Sequence, residues 1–168
     1  MLFFDFIGVP QAATQEEILK NHQNYPELEE YRQIFLNNMS NPDLYWPKKG
    51  QKIIAGYREF IKKYPRGEFT DEAKLRIAEF YELLFQKGKS LPFLNDIIKN
   101  HSTADYFSLY FSLNKKAQSA AKTAAWALYY RGLWFHRPDD WERILRKYPE
   151  SREAAGLAKN ALKKLKSK

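Results

Sequence analysis

Residues that could carry out catalysis or bind a metal are few in this 168-residue chain. There is no cysteine, which excludes disulfides, thiolate metal sites and thiol nucleophiles in this sequence. The three histidines, His22, His101 and His136, lie far apart, and no His-x-x-x-His or Glu-x-x-His pair is available to bind a metal from one face of a helix. Neither a glycine-rich phosphate loop nor a Gly-x-Ser-x-Gly nucleophile motif is found among only seven glycines.

Adjacent carboxylates are the remaining candidates for acid–base chemistry. The pairs are Glu29/Glu30, Asp71/Glu72 and Asp139/Asp140. They fall at predicted helix starts, where negative charge complements the positive end of the helix dipole. Proximity in the sequence does not place two carboxylates across a substrate, so the pairs support no catalytic assignment. We therefore predict a non-enzymatic protein with no catalytic residue, no cofactor and no metal ligand.

The positive charge of the chain is concentrated in its second half. Residues 1–84 contain 11 lysines and arginines against 13 acidic residues, whereas residues 85–168 contain 17 against 7. Five lysines lie within residues 159–168, which form a lysine-rich C-terminal end. A solvated helix end explains these lysines, because they complement the negative end of the dipole; an anchor for nucleic acid or an anionic membrane is the alternative. We favour the first because a lysine tail carries no group that reads or stacks on bases.

The most apolar stretch is the N-terminal segment, residues 1–13. It lacks a basic start and is interrupted by Asp5. It is either the remnant of an export signal or a segment that packs onto the first helix, and we favour packing. No stretch approaches the ~18 apolar residues needed to cross a bilayer, so no transmembrane segment is predicted.

The apolar residues follow a helical period along the rest of the chain. In residues 48–64 they recur at i, i+1, i+4, i+7, i+8 and i+11 from Ile53, which is one stripe of an amphipathic helix. The next helix is predicted with Thr70 as its N-cap and Gly88 as its stop. The predicted helices are 14–22, 26–39, 48–64, 70–87, 91–101, 103–113, 117–135, 138–148 and 151–166.

A short pattern recurs at the ends of several predicted helices. It consists of two apolar residues, a basic residue, a basic residue or asparagine, a ring, and a residue that ends the helix. Residues 60–65 and 144–149 are the strongest copies, and weaker copies begin at residues 18 and 97. The spacings are therefore 42, 37 and 47 residues. A supersecondary unit repeated at such intervals is typical of a helical solenoid, in which each unit buries its apolar face only against its neighbours.

The two strong copies and the residues after them resemble the tetratricopeptide-type repeat. The matching residues are Tyr64-Pro65-Arg66-Gly67 with Thr70 and Ala73, and Tyr148-Pro149-Glu150-Ser151 with Ala154 and Leu157. The resemblance is to the Tyr-Pro-x-Ser variant of bacterial cell-envelope proteins, although the spacings exceed the family's ~34 residues. It implies an all-α fold, a short right-handed α-α superhelix of about eight to nine helices that forms one domain over residues 14–166. It also favours the periplasm or cell envelope over the cytoplasm.

Residues 120–141 combine very small and very large side chains. Small residues allow close helix approach, and the rings then fill the surrounding space. We expect most rings to lie in the core and one or two to remain at the surface as binding candidates. The alanines are Ala120, Ala121, Ala124, Ala125 and Ala127, and the rings are Trp126, Tyr129, Tyr130, Trp134 and Trp141.

Two functions of different classes follow. The first is a protein–protein interaction scaffold whose predicted inner helices, 70–87 and 117–135, bind a peptide or a partner protein. Self-association through an uncapped end of the array is also expected to be possible. The candidate partner-binding residues are Arg76, Glu79, Glu82, Lys122, Tyr129 and Arg131.

The alternative is a nucleic-acid or anionic-surface binder that uses the basic second half. Acidic residues are interleaved with the basic ones over residues 139–153, so this region has no continuous cationic stripe, and we favour the scaffold. The candidate contacts of the alternative are Lys115, Lys116, Lys122, Arg131, Arg137, Arg143, Arg146 and Lys147.

Overall fold

A computed structural model of the protein describes residues 27–100 and 122–167. Within these ranges the chain is all-helical, as the sequence predicted, with seven α-helices, one 3-10 turn (Lys87–Ser90) and no β-strand. The α-helices are α1 (Leu28–Met39), α2 (Trp46–Lys63), α3 (Thr70–Leu83), α4 (Leu91–Asn100), α5 (Thr123–Phe135), α6 (Pro138–Lys147) and α7 (Arg152–Lys166).

These seven helices match seven of the nine predicted from the sequence. The predicted helices 14–22 and 103–113 lie outside the described residues, as do the apolar segment 1–13 and the pattern copy that begins at residue 18. The described part of the chain therefore has seven α-helices, fewer than the eight to nine predicted for the whole chain.

Helix α2 shows how the apolar stripe produces a helix with one buried face. Ile53, Ile54, Tyr57 and Phe60 are all buried, as their spacing predicted. A proline in the first turn suits the helix start, because it has no N–H group to leave unpaired there, and the lysines of the last turn complement the dipole. The amphipathic stripe therefore fixes which face of α2 packs against the rest of the molecule.

Helix α3 is shorter than the sequence predicted. It ends at Leu83, not at residue 87, because Phe85 adopts a left-handed backbone with φ of 58°. The N–H of Phe85 donates to the carbonyl of Glu82 (2.9 Å), and the N–H of Gln86 donates to that of Tyr81 (2.8 Å). These two hydrogen bonds form a Schellman motif, the usual way to satisfy the last carbonyls of a helix.

Two further predictions for α3 need correction. Gly88, the predicted stop, lies instead in the 3-10 turn that follows the helix. Thr70 is the first residue of the helix and not its N-cap, and its hydroxyl donates to the carbonyl of Tyr64.

Successive helices of the described segments pack on one another. α1 packs on α2, α2 on α3, α3 on α4, α4 on α5, α5 on α6, and α6 on α7. The buried apolar residues form two clusters that meet at α3. Ala73 and Ile77 of α3 belong to the cluster shared with α1 and α2, whereas Leu75 and Ala78 belong to the cluster shared with α4 to α7. Helix α3 is consequently buried on two sides.

The two Tyr-Pro corners have the same backbone hydrogen bonds. The N–H groups of Tyr64 and Tyr148 each donate over 2.8 Å to the carbonyl four residues earlier. The carbonyls of the same tyrosines accept from the N–H three residues later, which belongs to Gly67 (3.1 Å) or Ser151 (3.0 Å). The pattern repeated in the sequence therefore marks a repeated local structure.

Burial of the small residues of α5 gives a test of the core. Ala127 is fully buried, so Ala127→Asp places an unpaired carboxylate inside the apolar cluster that α3 shares with α4 to α7. We expect the free energy of unfolding to fall by about 3–5 kcal/mol in urea denaturation. The control is Ala55→Asp on the exposed face of α2, which should cost less than about 1 kcal/mol. Equal effects of the two substitutions would show that α5 does not pack as described.

The first Tyr-Pro corner is joined to α1 by Glu30. Its Oε2 accepts from Lys63 Nζ (2.6 Å) and from the Tyr64 hydroxyl (2.9 Å). The hydrogen bond from Lys63 lowers the pKa of Glu30 below its ordinary value of 4.5, and the one from Tyr64 acts in the same direction. The charged carboxylate is therefore the form that stabilises the fold.

This gives a prediction for the pH dependence of stability. Because the pKa of Glu30 is lowered by folding, its contribution is complete above about pH 4.5 and is lost as the pH falls through the folded-state pKa. Denaturation curves between about pH 6 and pH 3 should show a steeper loss of stability for the wild type than for Glu30→Gln. Parallel curves would contradict a stabilising role for this carboxylate.

Candidate functional site

Two of the partner-binding residues predicted on α3, Arg76 and Glu79, form an ion pair within that helix. Arg76 is only 7% exposed and pairs with Glu72 Oε1 (3.3 Å) and Glu79 Oε2 (2.7 Å), one turn away on either side. Glu82 is half-buried. Arg76 and Glu79 are thus brought together, but in an ion pair of α3 and not on an open surface.

Arg131, predicted on α5, connects three helices. Its Nε and Nη2 donate to the two carboxylate oxygens of Asp140 on α6 (2.7 and 2.6 Å), and its Nη1 donates to Asn95 of α4 (2.6 Å). The backbone N–H of Lys122 donates to the Ser151 hydroxyl (3.0 Å) at the second corner. Both residues therefore position α5 against its neighbours.

Helix α5 also carries a row of aromatic side chains. The rings of Trp126, Tyr129, Tyr130 and Trp134 lie at i, i+3, i+4 and i+8, which is one face of a helix. Trp126 is buried, and the other three are half-buried. We call these four residues the α5 aromatic face. The sequence predicted that one or two rings of this region remain at the surface; none of these four is fully exposed, and three of them are partly exposed.

The rings of the α5 aromatic face form one continuous set of contacts. Tyr130 and Trp134 are stacked, with centroids 4.7 Å apart and planes inclined by 9°. Tyr130 also contacts Trp126 (5.8 Å) and Tyr129 (5.7 Å) between centroids. Such mutual packing restricts ring rotation, so little side-chain entropy is lost when a ligand binds here.

The opposite side of α5 explains why the rings lie where they do. Ala124 and Ala125 are fully buried, and buried Gly132 lies directly against the indole of Trp141. Trp141 is itself buried and donates from Nε1 to the carbonyl of Tyr129 (3.2 Å). Small residues on one face bring α6 close, and the large rings are left to the other face.

The electrostatics of the α5 aromatic face are those of an uncharged surface. Burial raises the pKa of Tyr129 above its ordinary value of 10.0, so its hydroxyl stays neutral at physiological pH. Lys87 lies at the C-terminal end of this face, where its Nζ donates to the backbone carbonyl of Trp134 (3.3 Å). An apolar or aromatic group is the chemistry that this face can bind.

The cations predicted for nucleic-acid binding do not form a separate stripe in the described residues. Arg137, Arg146 and Lys147 are exposed and Arg143 is half-buried, but Asp139 and Glu142 on α6 and Glu150 after it are exposed as well, and Asp140 is buried against Arg131. The remaining candidates, Lys115 and Lys116, lie outside the described residues.

Sequence reasoning missed a groove of about 440 Å³ between α2 and α4, lined by Ala55, Arg58 and Phe93 among others. The guanidinium of Arg58 lies over the Phe93 and Tyr81 rings at 5.8 and 6.0 Å and donates to the Tyr81 hydroxyl (2.8 Å). Arg58 has the spacing of a solvent-facing residue on α2, and no sequence signal reveals partners this distant along the chain.

In residues 27–100 and 122–167, no three histidine, aspartate or glutamate side chains gather closely enough to hold a metal ion. None of the seven described helices combines the length and the apolar character required to span a bilayer.

The contact between Gly132 and Trp141 can be tested with a matched pair of glycines. A Cβ at position 132 would overlap the indole of Trp141, so we expect Gly132→Ala to lower the free energy of unfolding by about 1–3 kcal/mol. Gly156 of α7 has no neighbouring atom within 4 Å, and Gly156→Ala should stabilise the protein by about 0.5–1 kcal/mol through helix propensity. Chemical denaturation measures both, and stabilisation by both substitutions would contradict the close approach of α5 and α6.

No protein-family model, no characterised protein and no solved structure matches this chain.

Proposed function

We propose that this protein is a non-catalytic protein-interaction module that binds a peptide or partner protein through the α5 aromatic face. The observation that carries the proposal is the stacked, half-exposed pair of Tyr130 and Trp134 on an otherwise well-packed helix. Tyrosine and tryptophan are the side chains that most often dominate binding energy at protein interfaces, because each buries a large area with few rotatable bonds.

We propose further that the helices form a short right-handed solenoid of the tetratricopeptide type. Support comes from the packing of consecutive helices and from the identical hydrogen bonds at Tyr64 and Tyr148. Arrays of this kind act by presenting an extended surface to a partner. The resemblance to bacterial cell-envelope repeats is the sole support for a role in a cell-envelope complex.

The ion pairs favour a protein ligand over nucleic acid. Arg131, one of the strongest cationic candidates, is bound on both sides of its guanidinium by Asp140 and Asn95. A cation committed in this way cannot neutralise a phosphate without breaking the contact of α5 with α6. The partly exposed rings of Tyr129 and Trp134 remain as candidate binding groups of α5.

The test is affinity capture from an extract of the source organism. The wild-type chain and the double variant Tyr130→Ala/Trp134→Ala are compared, each washed at low and at high salt. We expect a captured protein to resist high salt on the wild type and its affinity for the double variant to fall about 30-fold or more, the effect of losing a hot-spot residue.

The matched control is Arg146→Ala/Lys147→Ala, which removes two exposed cations of α6 and should leave capture unchanged. Circular dichroism checks that every variant is helical, and Trp134→Leu serves if the double variant loses structure. Recovery of nucleic acid alone, released by modest salt and lost in the Arg146/Lys147 variant, would overturn the proposal.

A further inference from the structure

A second surface lies at one end of the first three helices. There the last turn of α1, the first residues of α2 and the C-terminus of α3 meet around the buried ring of Phe80. Its centroid is 6.2 Å from that of Phe35 on α1 and 6.1 Å from that of Trp46 on α2. We call the exposed apolar residues here the aromatic end; they are Leu36, Tyr45, Trp46, Leu83 and Phe85.

Phe85 is the residue of the aromatic end that folding does not explain. Its side chain is 97% exposed, so it contributes almost nothing to the core. Its φ of 58° places it at the left-handed position of the Schellman motif, where glycine is preferred because a Cβ is disfavoured. Neither burial in the core nor a backbone preference therefore accounts for a phenylalanine at this position.

Lysines surround the aromatic end. The first turn of α2 contains Lys48 and Lys49 and no acidic residue, although the positive end of the helix dipole favours the opposite. Residues 36–52 and 79–89, which contain the aromatic end, have five lysines in all, the others being Lys52, Lys87 and Lys89; Lys87 Nζ also donates to the carbonyl of Trp134 (3.3 Å). The carboxylates in the same two ranges are Asp43, Glu79 and Glu82, of which Glu79 is paired with Arg76.

We propose that the aromatic end binds the surface of an anionic phospholipid bilayer. Phe85 and Trp46 insert at the level of the headgroups, and the surrounding lysines contact the lipid phosphates. Aromatic residues are favoured at this depth, and lysines near an anionic surface add electrostatic attraction. Phe85 protrudes from a turn, which suits insertion into a fluid surface better than seating of a peptide in a groove.

Phosphate groups also compensate the unfavourable lysines of α2. The Lys48 and Lys49 side chains add positive charge to the N-terminal end of this helix, where the dipole is already positive, and Lys49 Nζ also donates to the carbonyl of Met39 (2.9 Å). A phospholipid phosphate placed there reduces the repulsion between these lysines and the positive end of the helix dipole. The same charges that destabilise the free protein therefore stabilise the membrane-bound state.

The experiment is flotation of the full chain with vesicles of phosphatidylcholine alone or with about 30% phosphatidylglycerol, at about 0.1 M salt. We expect binding to the anionic vesicles and little binding to the neutral ones. Phe85→Gly should weaken this binding by about tenfold or more, because one aromatic side chain no longer leaves water. Lys48→Glu/Lys49→Glu should weaken it at least as strongly.

The control is His136→Gly, because His136 has the same left-handed backbone (φ 54°) at the end of α5, outside the aromatic end. It should bind vesicles as the wild type does, and both glycine variants should melt at or above the wild-type temperature. Equal binding of the wild type and Phe85→Gly overturns the proposal, as does equal weakening by His136→Gly. A protein captured through Phe85 without any vesicle binding overturns it in favour of a protein partner.

Discussion

The architecture depends on a helix that is buried on two sides while carrying charge. Glu72 is 1% exposed and Arg76 is 7% exposed, yet α3 separates two apolar clusters. The burial is tolerated because the cation pairs with carboxylates three and four residues away on its own helix. Loss of Arg76 would take the paired cation from Glu72 inside the core, which is far more costly than loss of a surface ion pair.

The same burial sets the protonation of a neighbouring ring. Tyr31 of α1 is fully buried, and its burial raises its pKa well above the ordinary value, with the charge of Glu72 acting in the same direction. The phenol therefore remains neutral at physiological pH. Three rings, those of Tyr57, Phe60 and Phe69, surround it within 5.7 Å between centroids, so the aromatic packing of α1 on α2 is protected from titration.

Periodicity in the sequence was enough to predict the helices, but not which charged residues are buried. The stripe from Ile53 identified the buried face of α2, because its polar residues point to solvent. Arg76 and Arg131 were assigned to a binding surface for the same reason, and both instead form internal ion pairs. The partners of Arg131 are nine and 36 residues away, and only the folded chain brings them together. The left-handed Phe85 was missed because glycine is the expected residue there.

Two-sided burial also has a consequence for how the chain can be divided. Repeat arrays ordinarily tolerate removal of whole terminal units, because each unit contacts only the next. Here a cut before Thr70 would strip α3 of its cover from α1 and α2, and a cut after Leu83 would strip it of its cover from α4 and α5. Either fragment that retains α3 would expose one of its two apolar faces to solvent, next to Arg76. The two apolar clusters therefore share α3, and a chain shortened on either side of this helix would expose apolar residues that are buried in the whole protein.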